Sequence, residues 1–195
     1  HELAHMWFGD LVTMQWWGDL WLNESFATWS AAMSQAEATE FDTAWVTFAN
    51  VEKSWAYAQD QLPSTHPIVA SAKDIETVEQ NFDGITYAKG ASVFKQLQAY
   101  VGREPFFAGV RQHFANHAFS NATFEDLLGA LADASGRDLS GWAQQWLTTT
   151  GINTLRPTFT IQNGVYTDFA VEQTGAQPGA GELRTHRIAV GLYSL

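Results

Sequence analysis

The pattern of apolar and polar positions divides the chain into a long helical stretch and a short β-rich end. Apolar bulk at Met6, Trp7 and Phe8 continues a helix from His1, with Gly9-Asp10 as its stop. Trp16-Trp17-Gly18-Asp19 reads as a turn, and Asp19 is placed to cap a second helix over residues 20–33. Residues 43–62 carry Trp45, Phe48, Val51, Trp55 and Ala58 at helical spacing, until Pro63-Ser64-Thr65-His66-Pro67 breaks the run. A short helix is expected over 75–81, a turn at Asp83-Gly84, and a helix over 85–101 that stops at Gly102. Pro105 opens the next helix, which runs to about His117. Asn121-Ala122-Thr123 caps another from Phe124 to just before Gly136, and a last one spans 140–149 and ends at Gly151. Two strands, 158–162 and 165–171, then flank Asn163-Gly164, a dipeptide suited to a type I′ hairpin. A Gly- and Pro-bearing linker over 174–181 leads to a third expected strand at 185–193. The fold class is therefore mainly α, with residues 1–150 helical and 151–195 the beginning of a following β domain.

Composition sharpens this outline. With 46% hydrophobic and 14% aromatic residues, 195 residues suffice to bury a sizeable core. Five of nine tryptophans fall within the first twenty-nine residues, as core packing or as a wall around a site. The net charge of −11 disfavours nucleic acid and anionic membrane surfaces as partners. No apolar run approaches the ~18 residues of a membrane helix. The absence of cysteine rules out disulfides and restricts any metal to nitrogen and oxygen ligands. It also suits a cytoplasmic location, which is the compartment expected here. The chain lacks an initiator Met and opens on a candidate ligand, so it reads as an excised fragment.

That candidate ligand belongs to the run His1-Glu2-Leu3-Ala4-His5, with Glu24 following further along. Residues four apart on an α-helix share a face, so His1 and His5 can offer ring nitrogens to one metal ion. Glu2 borders that face and is free to act as a general base on water. Glu24, one turn into the second helix, can supply a carboxylate. Two nitrogens and one carboxylate leave a tetrahedral position open, which marks a catalytic rather than a structural Zn2+ site. By chance, His-Glu-x-x-His arises in roughly one chain in a hundred of this composition.

The run from His1 to Trp29 resembles the M1 family of zinc aminopeptidases, the aminopeptidase N type within the gluzincins. The likeness rests on His1 to His5, on Trp7-Phe8-Gly9-Asp10-Leu11-Val12-Thr13, and on residues 17–27 with Asn23-Glu24-Ser25 at their centre. It implies a thermolysin-like helical metallopeptidase subdomain followed by the start of a β-sandwich-type domain. It also implies one Zn2+ held by His1, His5 and Glu24, with Glu2 as general base. Thr86-Tyr87-Ala88-Lys89-Gly90 resembles the family's Tyr-x-Lys-Gly segment, which makes Tyr87 the donor to the oxyanion. Taken alone, the helical pattern would make Tyr87 a core tyrosine.

The implied function is removal of N-terminal amino acids from peptides with a free N-terminus, in concert with the remaining domains of the same polypeptide. Alternatives are a zinc hydrolase of the same fold acting on a non-peptide bond, as leukotriene hydrolases do, and a non-catalytic interaction module. The family's Gly-x-Met-Glu-Asn motif, which binds the substrate amino group, does not occur here. Ser25 replaces a frequent Gly, and Ala31 stands where many members carry a Glu that supports the metal. Support for the ligands is then expected from Thr28 or Asp19. His113 and His117 repeat the four-residue spacing without an acidic partner, and read as a solvent-exposed helix face. His66 reads as structural, His186 has no partner in the sequence, and the acidic residues over 74–83 read as a solvated face.

Overall fold

The structure, a computed structural model, describes residues 1–193. A 3-10 turn, Glu2–Met6, precedes strand β1 (Val12–Met14) and a second 3-10 turn, Trp17–Asp19. Helices α1 (Leu20–Ala38), α2 (Ala44–Asn50), α3 (Glu52–Asp60) and α4 (Ile75–Gln80) follow, then a π-helical turn, Ile85–Lys89. It runs into α5 (Gly90–Val101), α6 (Arg103–His117), strand β2 (Ser120–Ala122), α7 (Phe124–Ser135) and α8 (Ser140–Leu147). Strands β3 (Ile152–Gln162) and β4 (Val165–Gln177) close the regular structure. No helix among the described residues is long and apolar enough to cross a membrane.

Helix α1 is buried on nearly all sides over its first three turns, where Leu20, Trp21, Leu22, Phe26, Ala27 and Trp29 pack inward and Asn23, Ser25 and Thr28 are buried beside them. It forms the centre of the core. Trp29 packs against Phe26 at 5.3 Å and Phe106 of α6 at 5.2 Å between ring centroids. Phe26 also meets Phe94 of α5 edge-on. The helix outlasts its expected end at residue 33 because Ser34-Gln35-Ala36-Glu37-Ala38 emerges from the core yet contains good helix formers.

The expected helix over 43–62 bends at Val51 into α2 and α3. Its buried stripe is Ala44, Phe48, Ala56 and Asp60, whereas Val51, Trp55 and Ala58 face outward. The stripe ends on a carboxylate, which hydrophobic periodicity scores as surface. Helix α7 opens on the expected cap, with Thr123 and Asp126 forming a reciprocal capping box. Strands β1 and β2 pair in parallel, Val12 opposite Ser120 and Met14 opposite Ala122. Three residues each are too few to leave a periodic signal.

Asn163 and Gly164 both adopt positive φ, 53° and 77°, the geometry of a type I′ hairpin turn. Strand β4 runs on to Gln177 and so absorbs half of the expected linker. The third expected strand, 185–193, is not formed. The backbone N–H and C=O of Arg184, where that segment begins, are taken by the Gln173 carboxamide, at 2.9 and 3.0 Å, instead of a neighbouring strand.

Candidate metal centre

His1 and His5 sit on a 3-10 turn rather than the α-helix expected. Ala4 N–H donates to the His1 carbonyl at 2.9 Å, and Asp10, Leu11 and Val12 then bond five residues back. The first turn of any helix lacks upstream carbonyls and often tightens in this way. The rings converge nonetheless. His1 Nε2 lies 3.1 Å from His5 Nε2 and 3.2 Å from Glu24 Oε2, and His5 Nε2 lies 3.5 Å from the same oxygen. Among the described residues, this is the one group of three or more His, Asp or Glu side chains placed to hold a metal ion.

The three edges test that fit directly. Ligands about 2.0–2.1 Å from a tetrahedral zinc stand about 3.3 Å apart, and the observed separations bracket that figure. The opposite ring nitrogens are held from outside. His5 Nδ1–H donates to the Phe8 carbonyl at 3.0 Å, which leaves the Nε2 lone pair aimed at the centre. His1 Nδ1 is 3.2 Å from the hydroxyl of Thr28, one turn beyond Glu24 on α1. Gly9 has φ +133°, and a Cβ there would lie 3.1 Å from the His5 carbonyl, so glycine lets the chain fold back beneath this ring. Of Thr28 and Asp19, the two residues expected beside this triangle, Thr28 reaches the His1 ring and Asp19 does not. The Asp19 carboxylate accepts the Phe124 N–H at 3.1 Å and so ties α1 to α7, while burial raises its pKa.

Tyr87 projects from the π-helical turn and lies between two rings. It stacks on His1 at 5.8 Å on one side and on Trp55 at 6.5 Å on the other. Burial, and then the Glu24 carboxylate with Glu2 adding, pushes its pKa up to about 12. It is therefore a hydrogen-bond donor throughout the neutral range. Glu2 is exposed and lines the same cleft of about 540 Å³ as His1, Thr28, Trp55 and Tyr87.

Several residues that set this turn were missed by the sequence reading. Asp83 Oδ1 accepts the N–H groups of Ile85 and Thr86 at 2.9 and 3.0 Å. Its other oxygen meets His66 Nε2 at 2.6 Å and the Gln59 amide, and Gln59 Oε1 accepts the Gly84 N–H at 2.7 Å. Ser25 donates to the Thr86 carbonyl at 2.6 Å, and Gly90 packs so close that a Cβ would lie 1.8 Å from the Ser25 hydroxyl. Asp83 is thus an anchor of the Tyr87 turn and not part of a solvated face. An Asp immediately before a Gly turn, just ahead of Tyr87, was the available signal. Asp74 is likewise a cap, accepting the Thr77 N–H at 2.8 Å.

The other histidines also gain partners. His113 is 1% exposed, not on a solvated face; its ring stacks on Phe8 at 5.4 Å, and burial, then His117, lowers its pKa to about 4. His186 packs edge-on against Trp146 at 5.0 Å and meets Gln173 Oε1 at 3.2 Å. Trp21 and Trp29 belong to the core, whereas Trp7, Trp16 and Trp17 are exposed.

Comparison with known proteins gives a consistent picture. Residues 1–146 match the peptidase family M1 domain. The whole chain aligns, at 60% identity over 203 positions, with an aminopeptidase N of Streptomyces lividans, of which it spans 24%. It is 43% identical over 159 positions to the Tricorn protease-interacting factor F2 of Thermoplasma volcanium, covering 80% of the chain and 20% of that protein. A leucyl aminopeptidase of Saccharolobus solfataricus is 42% identical over 156 positions, again 80% of the chain and 20% of the relative.

Proposed function

Because the chain belongs to peptidase family M1, we propose that it forms the metal-binding core of a zinc aminopeptidase, which releases N-terminal residues from peptides by attack of water on the scissile carbonyl. His1, His5 and Glu24 would hold one Zn2+. When bound, the ion supplies Lewis acidity that polarises the carbonyl and eases loss of a proton from the attacking water. Glu2, at the open side of the cleft, takes that proton and returns it to the leaving amine. The Tyr87 hydroxyl, held between His1 and Trp55, donates to the carbonyl oxygen as negative charge develops there. Thr28 and the Phe8 carbonyl keep both imidazoles oriented while this happens.

The observation that carries this reading is the triangle of 3.1, 3.2 and 3.5 Å between His1, His5 and Glu24. Its test is Glu2→Gln in the intact protein, with zinc content and turnover of aminoacyl arylamides measured together. Zinc should stay bound while turnover falls by about a thousandfold. Undiminished turnover would remove Glu2 from the reaction, and a wild-type protein inert towards every aminoacyl substrate would end the reading. We also infer that residues 151–195 open a β domain completed elsewhere in a longer polypeptide. The exposed apolar side chains of the hairpin support this, Phe159 and Tyr166 among them.

A further inference from the structure

A second cavity, of about 470 Å³, lies on the far side of the Tyr87 turn. Tyr87 borders the metal cleft, while Lys89, two residues on, borders this cavity together with residues of α3, α5, α8, β3 and the segment after β4. Its wall inverts the charge of the chain. The sequence carries 21 acidic and 10 basic residues, yet Lys53, Lys89, Arg184, Arg187 and His186 line this space against Asp60 alone.

That carboxylate is already committed. Asp60 Oδ2 pairs with Lys89 Nζ at 2.7 Å, and Oδ1 accepts from Thr65 at 2.7 Å and from the Gly151 N–H at 3.0 Å. Arg184, 3% exposed, spends its guanidinium on the Thr149 hydroxyl, on Asn153 Oδ1 and on carbonyls of Gln145, Thr150 and Gly151. The Glu182 carboxylate, outside the lining, also attracts Arg184. Lys53 and Arg187 remain. Lys53 lies 5.5 Å from the Tyr57 ring centroid, and Arg187 donates to the Tyr100 carbonyl at 3.2 Å. Neither takes part in any of the five ion pairs among the described residues. Excess positive charge beside low-dielectric walls draws an anion. The volume falls in the range of small-molecule sites, and Trp146, Val93 and Ile188 offer apolar surface to a carbon body.

We propose that this cavity binds an organic carboxylate, gripped by Lys53 and Arg187 over the Lys89–Asp60 pair. The carboxylate can come from a free small molecule or from an acidic side chain elsewhere in a longer polypeptide, and two measurements separate them. The intact protein is titrated with citrate by calorimetry, alongside Lys53→Ala and Arg187→Ala, both at side chains open enough to leave folding intact. A free ligand gives saturable heat that each variant weakens about tenfold or more. A carboxylate of the same polypeptide gives no heat, but carbodiimide then couples Lys53 to an Asp or Glu outside these 195 residues. Citrate heat that neither variant changes, or neither heat nor such a coupling, overturns the proposal. The readout is binding and linkage, so the outcome is independent of the metal centre.

Discussion

The helical body, from Leu20 to Leu147, and the hairpin, from Ile152 to Gln177, are held by different physics. The body surrounds α1 with an aromatic core in which Trp29, Phe94 and Phe106 are almost fully buried. The hairpin leaves apolar side chains open along both strands, with Phe159 53% exposed and Val165 62%. A two-stranded ribbon cannot bury a face on its own. Its base is fixed by hydrogen bonds instead: Arg184 ties the Gln145 carbonyl in the last turn of α8 to Asn153 near the start of β3, and the Thr150 hydroxyl donates to the Pro178 carbonyl. Glu24 and Thr28 are therefore positioned by apolar packing around α1, whereas the position of the hairpin comes from directional polar contacts.

The largest effect expected tests that contrast head-on. Trp29→Ala removes the hub of the core and should lower unfolding stability by about 3–5 kcal/mol. Phe159→Ala, on the hairpin, should change it by no more than about 0.5 kcal/mol. Urea melts of both variants decide the matter. Similar losses would mean that the hairpin is as integral to the cooperative unit as the core.

Arg184→Met comes next. It keeps most of the side-chain length and removes every donor, which leaves the carbonyls of Thr150 and Gly151 without their charged partner. Loss of charge-assisted bonds of this kind costs about 2–3 kcal/mol. The cost should be local: amide exchange should quicken from residue 149 to 153 and around 184, while the amides of α1 keep their protection. If α1 loses protection in step, the guanidinium supports the body too and the two regions share one mechanism.

The same contrast explains what could be seen in the sequence. The convergence of His1, His5 and Glu24 was legible because the chemistry depends on spacing within two neighbouring segments. The Thr123 cap and the Asn163-Gly164 turn were legible because each is encoded by adjacent residues. Gln59, Asp83, Ser25 and His66 were not, since they meet at the Tyr87 turn from separate elements, and periodicity carries no information about which polar residues will meet. His113 shows a signal overlooked: Phe106, Val110 and His113 form one helical stripe, and its first two members are unambiguous core residues. The expected strand at 185–193 shows the opposite error, for alternation alone does not make a strand, and the Arg184 backbone groups that open that segment bond to the Gln173 side chain instead.

The smallest effect expected, and the one whose sign is most informative, appears on moving the metal-free protein from pH 7 to pH 5. Burial, then the neighbouring His117, depresses the His113 pKa to about 4, against a weaker pull upward from Asp126. Below its ordinary value of about 6.5 the unfolded chain takes up a proton that the folded body refuses, so stability falls as the pH drops. At pH 5 this amounts to about 2 kcal/mol. His66 acts in the opposite direction. Its hydrogen bond to Asp83 raises its pKa, so its contribution is full below about 6.5 and is lost as the pH rises through the folded value. Burial pushes Asp83 up, but His66 and the Thr86 N–H pull harder and leave it lowered, so it stays charged at pH 5. That pair is partly solvated and contributes about 1 kcal/mol at most. His113 therefore wins, and the wild type should lose about 1 kcal/mol overall between pH 7 and 5. His113→Phe, which keeps a ring against Phe8, removes the larger effect and should reverse the slope, so that the variant becomes slightly more stable on acidification. His186 in the tail bears the same kind of penalty, from burial and then Arg184, but it is only half-buried and its share is smaller. Melting curves of the two proteins at pH 5, 6 and 7 test this, because titrating groups not coupled to His113 cancel between them; parallel curves would show that the ring takes up its proton as readily in the fold as in the unfolded chain.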